Sequence, residues 1–193
     1  MIAIAVLTLG LISVAALATT MLATGKRSKY MALASSLASE KLEDLSRFPN
    51  DVPQVCVPTG NASVGALSTS SPVIQTTTCA SGASASVAYY DDVSISFSNA
   101  SGDCPNQGGC FAETVSSVSG GNTQYVTTYH SPDGRITTSA PTTTPSTRET
   151  FRRTWLIENN TPVNGVRRTT VLVTLMDNSV RPPVTFQMSA VRP

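Results

Sequence analysis

The chain has 193 residues, a net charge of +1 and only 13% charged side chains. That balance excludes the basic excess of a nucleic-acid surface, and the 40% hydrophobic content excludes a disordered chain. The length suits one domain plus a long appendage.

The appendage comes first. Residues Met1 to Gly25 carry no charge, and Met1 to Leu22 is long enough to span a hydrocarbon core, which needs about 20 apolar residues. Ten of these residues are Leu, Ile or Val, each favouring insertion by roughly 0.3–0.6 kcal/mol. Thr8, Ser13, Thr19 and Thr20 reduce this modestly, because their hydroxyls can bond back to helix carbonyls. A cleaved signal has a basic n-region and an apolar core of about 7–15 residues. The run here is longer and lacks the basic start, so an anchor is expected.

The helix is expected to continue to Arg47. Leu33, Leu37, Ala38, Leu42 and Leu45 form one apolar stripe, with Ser36, Ser39, Glu40, Glu43 and Arg47 elsewhere. Phe48-Pro49 is the stop, because a residue before proline disfavours helical backbone. The organisation read from the chain is a helix over 1–48 and a β-rich head over 49–193. Within the helix, 1–23 is a transmembrane or assembly half and 26–47 an amphipathic half. Gly10, Ala15, Ala16 and Ala18 are small enough to permit close helix–helix approach. Leu33, Leu37, Leu42 and Leu45 are expected to dock the head.

Four cysteines and a lone histidine, His130, do not suit zinc, since no two cysteines lie two to four residues apart. Two disulfides in an oxidising compartment are expected. Cys104 and Cys110 bracket the turn-forming Pro-Asn-Gln-Gly-Gly, which leaves Cys56 and Cys79 to pair; two other connectivities stay open.

Asn50 to Ser86 reads as a loop-heavy connection. Ser86 to Phe97, with Val93, Ile95 and Phe97 alternating with serine, reads as a half-buried strand. Gln124 to His130 reads as another strand, before a Ser-Pro-Asp-Gly turn. Thr137 to Thr147 reads as a loop. Phe151 to Glu158, Val166 to Met176 and Val184 to Val191 read as three antiparallel strands with one apolar face. That face needs a cover, and the amphipathic helix supplies it. Arg152, Arg153, Arg167 and Arg168 are read as solvated strand residues, with a shared basic patch as the alternative.

Catalytic patterns are lacking. Gly108-Gly109 and Gly120-Gly121 are not followed by the Lys-Ser/Thr of a phosphate loop. Asp91-Asp92 lacks the alternating oxygen ligands of a calcium loop. No Gly-x-Ser-x-Gly elbow occurs. No enzyme activity, cofactor or metal is expected.

Ile2-Ala-Ile-Ala-Val-Leu-Thr-Leu-Gly-Leu-Ile-Ser-Val-Ala-Ala-Leu, followed by Ala34 to Leu45, resembles the N-terminal helix of type IV pilins. The likeness is greatest to minor pilins of the PilV kind; type II secretion pseudopilins are similar. The step Leu9-Gly10-Leu11 and the segment Ser39-Glu40-Lys41-Leu42-Glu43 leading to Phe48-Pro49 carry it. It covers roughly the first quarter of the chain. The C-terminal meander, with Trp155 in its first strand, resembles the PilV-type sheet more weakly. The resemblance implies an α+β fold with a long N-terminal helix packed on an antiparallel sheet. It implies a structural subunit held single-pass in a bacterial inner membrane, head in the periplasm, and then assembled into an extracellular filament. Other pilins or pseudopilins would be its partners, through the N-terminal helix. The alternatives are a type II secretion pseudopilin and a signal-anchored periplasmic binding module.

Family members carry a processing junction of the form Gly-Phe-Thr-Leu-Ile-Glu-Val, and Met1 matches a position just past that glutamate. Met1 is therefore expected to be an internal methionine, and prepilin peptidase to be a partner only if a leader lies upstream. Lys26, Arg27 and Lys29 oppose this orientation, since positive flanks usually stay cytoplasmic. The disulfides favour it, and a basic upstream leader would supply the competing charge. The in-frame codons before Met1 should encode Gly-Phe-(Ser/Thr)-Leu-Ile-Glu; sequencing that finds no such stretch contradicts the expectation.

Overall fold

The computed structural model describes residues 2–96, 111–119, 122–130, 136–139, 149–177 and 180–193. One helix, α1 (Ile2–Arg47), runs for 46 residues without a break, about 70 Å at 1.5 Å per residue. It ends before Phe48-Pro49, where the proline ring disfavours helical backbone on its neighbour. Ten strands follow among the described residues: β1 (Ser63–Gly65), β2 (Ile74–Thr78), β3 (Ser84–Ala88), β4 (Tyr90–Ser96), β5 (Phe111–Ser119), β6 (Asn122–His130), β7 (Ile136–Ser139), β8 (Glu149–Asn159), β9 (Arg167–Leu175) and β10 (Thr185–Arg192). The architecture is α+β.

Eight strands form one antiparallel sheet in the order β10-β9-β8-β4-β5-β6-β7, with β1 paired to the far end of β8. Strand β8 is long enough to hold two neighbours on one side. β4 takes Glu149 to Thr154 and β1 takes Leu156 to Glu158. β2 and β3 form a separate hairpin. Alternation along β8 points Phe151, Arg153, Trp155 and Ile157 at α1. The antiparallel register then places Leu175, Val173 and Val171 of β9 beside them on the same face. Phe151, Ile157, Val171 and Val173 are fully buried.

The second half of α1 covers this face. Tyr30, Ala34, Leu37, Ala38, Leu42 and Leu45 are buried, and Leu33 packs at the edge of the same cluster. Their spacing of three and four residues is one face of a helix. Tyr30 meets Phe151 edge-on, with ring centroids 6.3 Å apart. Buried apolar area of this kind stabilises by roughly 25 cal/mol per Å².

Several expectations are refined or corrected. Asn50 to Ser86 is loop-heavy, as expected, and it also carries β1, β2 and the first part of β3. The single strand expected over Ser86 to Phe97 is divided into β3 and β4, in two different sheets. The three expected C-terminal strands are β8, β9 and β10, paired antiparallel in sequence, and β4 continues the sheet from β8 onward to β5, β6 and β7. Thr137 to Ser139, expected as loop, belong to β7, which pairs with β6; residues 140–148 lie outside those described. Strand β5 was not expected at all. Its register with β6 runs to Ser119↔Asn122; Gly120 and Gly121 lie outside the described residues.

Cys56 and Cys79 are joined, with Cα atoms 5.7 Å apart; Cys104 and Cys110 lie outside the described residues. The bridge ties the segment after α1 to the start of the β2–β3 turn, closing a 23-residue separation. A loop of that length contributes about 3.5 kcal/mol on the chain-entropy account.

Gly65 marks a close backbone approach. It has φ +79°, and a Cβ there would lie 2.2 Å from the Trp155 carbonyl oxygen and 2.9 Å from the Tyr89 ring. Side chains both disfavour that backbone region and cannot share that space. Gly65→Ala should destabilise the head by roughly 2–4 kcal/mol. Denaturant unfolding checks this, and an unchanged midpoint would contradict the packing.

Candidate functional site

The site has two parts on one element: the free half of α1, and the ionic cluster that fixes its other half to the sheet. In the free half, Leu11, Ile12, Val14, Leu17, Met21 and Leu22 are between 57 and 71% exposed. Gly10, Ala15, Ala16 and Ala18 are exposed as well, and no atom outside its own helix backbone lies within 4 Å of a Cβ placed on Gly10. The segment bearing Val180 and Arg181 comes alongside from Thr20 onward. The described hydroxyls in this half bond within the helix. Ser13 donates to the Gly10 carbonyl at 3.0 Å, Thr19 to Ala16 at 2.8 Å and Thr20 to Leu17 at 2.8 Å. This half therefore shows a neighbour apolar side chains and self-satisfied hydroxyls. Among the described residues no helix is long and apolar enough to cross a membrane. The side chains of residues 2–9, an apolar part of the run, lie outside those described.

The docked half is fixed by charge. Asp91 on β4 is 2% exposed and Arg153 on β8 is 3% exposed; they are direct cross-strand partners. Arg153 Nε and an Nη donate to both Asp91 carboxylate oxygens, at 2.6 and 3.0 Å. Lys41 reaches over from α1, placing Nζ 3.2 Å from the same carboxylate and 4.2 Å from the centre of the Trp155 ring. Glu40 approaches Arg153 at 3.9 Å. Burial alone pushes the Asp91 carboxyl up, but Arg153 and then Lys41 outweigh it and hold it below the ordinary carboxylate value. Burial pulls Arg153 down, and Asp91 more than reverses this.

The four strand arginines are neither a patch nor plain solvated residues. Alternation sends Arg152 to the opposite face from Arg153. There Arg152 grips Asp92 with two nitrogens at 2.7 and 2.9 Å. Arg168 does the same to Glu158 at 2.8 and 3.0 Å. Asp91 and Asp92 are thus arginine partners. Arg167 is buried and donates to the Val55 carbonyl at 3.3 Å.

Sequence reasoning missed the cluster. A signal was present in the pair Asp91-Asp92 and the pair Arg152-Arg153, but register decides whether such pairs meet, and register is not readable from either segment alone. Leu37, Leu42 and Leu45 sit in the core with Leu33 at its edge. Among the described residues no three metal-ligating side chains converge. His130 ends β6, and its side chain lies outside those described. No family model, curated protein or solved structure matches the chain.

Removing one member of a buried, hydrogen-bonded ion cluster leaves an uncompensated charge. Asp91→Ala should therefore cost about 3–5 kcal/mol, and Asp91→Leu with Arg153→Met should recover much of it. The folded carboxyl lies below the ~3.9 of an unfolded chain. Its contribution is then complete above that value and is lost as pH falls through the folded one. Acid denaturation should show a destabilising limb below about pH 4 that Asp91→Asn flattens. An unchanged limb would contradict the assignment.

Proposed function

We propose that the chain is a structural, pilin-like subunit, a minor pilin in type. Its apolar helix half sits in a membrane in the precursor and packs against equivalent helices in a filament. The observation that carries this reading is the pairing of an exposed, self-satisfied apolar helix half with a second half bolted to a head. A rod of this kind has no solvent-compatible state of its own. Lipid satisfies it in a bilayer, and neighbouring rods satisfy it in a filament. Gly10, Ala15, Ala16 and Ala18 supply the small surfaces at which helices approach closely. Exchange between the two environments needs no catalysis, only packing.

The disulfide supports a head outside the reducing cytosol, since such bridges persist in oxidising compartments. A type II secretion pseudopilin uses the same helix and the same physics. A signal-anchored binding module uses the helix only as a tether, so it needs no small-residue packing face.

The test separates these cases. The 193-residue chain expressed in a bacterium should stay with membranes after alkaline carbonate extraction, and a chain lacking residues 1–25 should be released. Gly10→Glu should stop incorporation into sheared filaments or pseudopilus assemblies while leaving the head's melting midpoint unchanged. Release of the full chain by carbonate contradicts the membrane step. Normal incorporation of Gly10→Glu contradicts the packing step.

A further inference from the structure

Arg152, Arg153 and Arg168 each hold a carboxylate through two nitrogens. Arg167 stands apart. It is 9% exposed, and a guanidinium offers five donors. Its hydrogen bond goes to the Val55 carbonyl at 3.3 Å. Among the described residues it has no ion pair, and the influences on it are burial and a like charge, Arg192, both of which lower its affinity for its proton. Arg192 is its direct cross-strand partner on β10, a placement that destabilises a sheet. Arg192 is itself answered, since it donates to the Ser46 carbonyl in the last turn of α1, where the helix carries partial negative charge. Arg167 is left as a buried cation facing a like charge, a costly arrangement without an anion.

Arg167 forms part of the wall of a groove of about 380 Å³ beside the Cys56–Cys79 bridge. That volume is in the range of small-molecule sites. Asn50, Ser81, Asn159 and Asn160 stand in the same wall. The Asn160 side-chain oxygen is occupied by the Gly165 N–H at 2.9 Å, so its amide donors are what it offers a ligand. Asp51 also lines the groove and disfavours a doubly charged guest. One buried guanidinium, set against the Asp51 carboxylate and the chain-terminal Pro193, with a rim of amides and a hydroxyl, suits no more than a single negative charge, surrounded by hydroxyl groups.

We propose that this groove binds a small hydroxylated carboxylate, an acidic sugar in chemical class. Its carboxylate takes the open edge of Arg167, and its hydroxyls take the asparagine and serine side chains. The site is independent of the filament reading: it belongs to the head and stands or falls with Arg167.

The probe is sodium glucuronate, titrated calorimetrically into the full chain in detergent micelles. Sodium acetate, sodium phosphate and sodium chloride are compared at equal ionic strength. Glucuronate should bind saturably at one site and raise the melting midpoint, with acetate and phosphate weaker. Arg167→Gln should weaken binding about tenfold or more. Because it removes an unanswered buried cation, its own midpoint should equal or exceed that of the unsubstituted chain. Asn159 is the cross-strand partner of Arg167 on β8, so Asn159→Asp should answer the cation internally. It should raise the midpoint and abolish glucuronate binding with Arg167 intact. The proposal is overturned by no saturable glucuronate binding, by phosphate or acetate binding as tightly, or by Asn159→Asp binding as before.

Discussion

The structure depends on how one carboxylate, Asp91, is shared between two elements. Apolar contacts hold α1 to the sheet but are non-directional, so they do not by themselves select the rotation of the helix about its axis. The ionic cluster is directional. Lys41 lies within the same face as Leu37, Ala38, Leu42 and Leu45, and its ammonium meets Asp91 only when that face is turned inward. Arg153 fixes the carboxylate from the other side with two bonds, and Trp155 gives the Lys41 ammonium an aromatic surface. A one-residue rotation of α1, about 100°, would take Lys41 off Asp91 and the apolar stripe off the sheet together.

That fixed rotation has a consequence at the other end of the helix. An unbroken helix carries orientation along its length, so docking residues 30–45 also sets which way residues 10–22 face. The free half shows exposed apolar side chains and internally bonded hydroxyls. In the proposed filament, head and rod then present a defined pair of surfaces to each neighbour. The disulfide and the close approach at Gly65 stiffen the head around the same core.

The helix and its docking stripe were legible because both are local. The 3.6-residue period needs only neighbouring residues, and Phe48-Pro49 marks the stop without reference to anything distant. Tyr30 and Ala34 extend the docking row N-terminally and escaped notice, one as an aromatic and the other as a small residue among leucines. The C-terminal strands were legible by alternation. What stayed hidden was pairing at a distance. β4 joins β8 across about 60 residues of chain, as its bonds from Asp92 to Arg152 and from Asp91 to Arg153 show. Nothing in Asp91-Asp92 alone says which face each carboxylate takes. Strand β5, Phe-Ala-Glu-Thr-Val-Ser-Ser-Val-Ser, lacks a run of large apolar residues, and the Gly120-Gly121 that follows it in sequence was weighed only as a phosphate loop. The arginines were misread for a related reason: as sequence they are two adjacent pairs, whereas in the sheet each pair is split between opposite faces.

The central claim is that α1 is a straight rod, docked over one half and projecting over the other. Nitroxide labels on keto amino acids at positions 16 and 187 leave the cysteines untouched, and dipolar spectroscopy then reads the separation of the labels in the full chain. Ser39 touches Met188 at 3.5 Å, and residue 16 lies 23 residues up the helix from it. The account predicts a narrow distribution near ~35 Å from the 1.5 Å rise. A broad distribution, or a peak below about 20 Å from a helix folded back on the head, would contradict it.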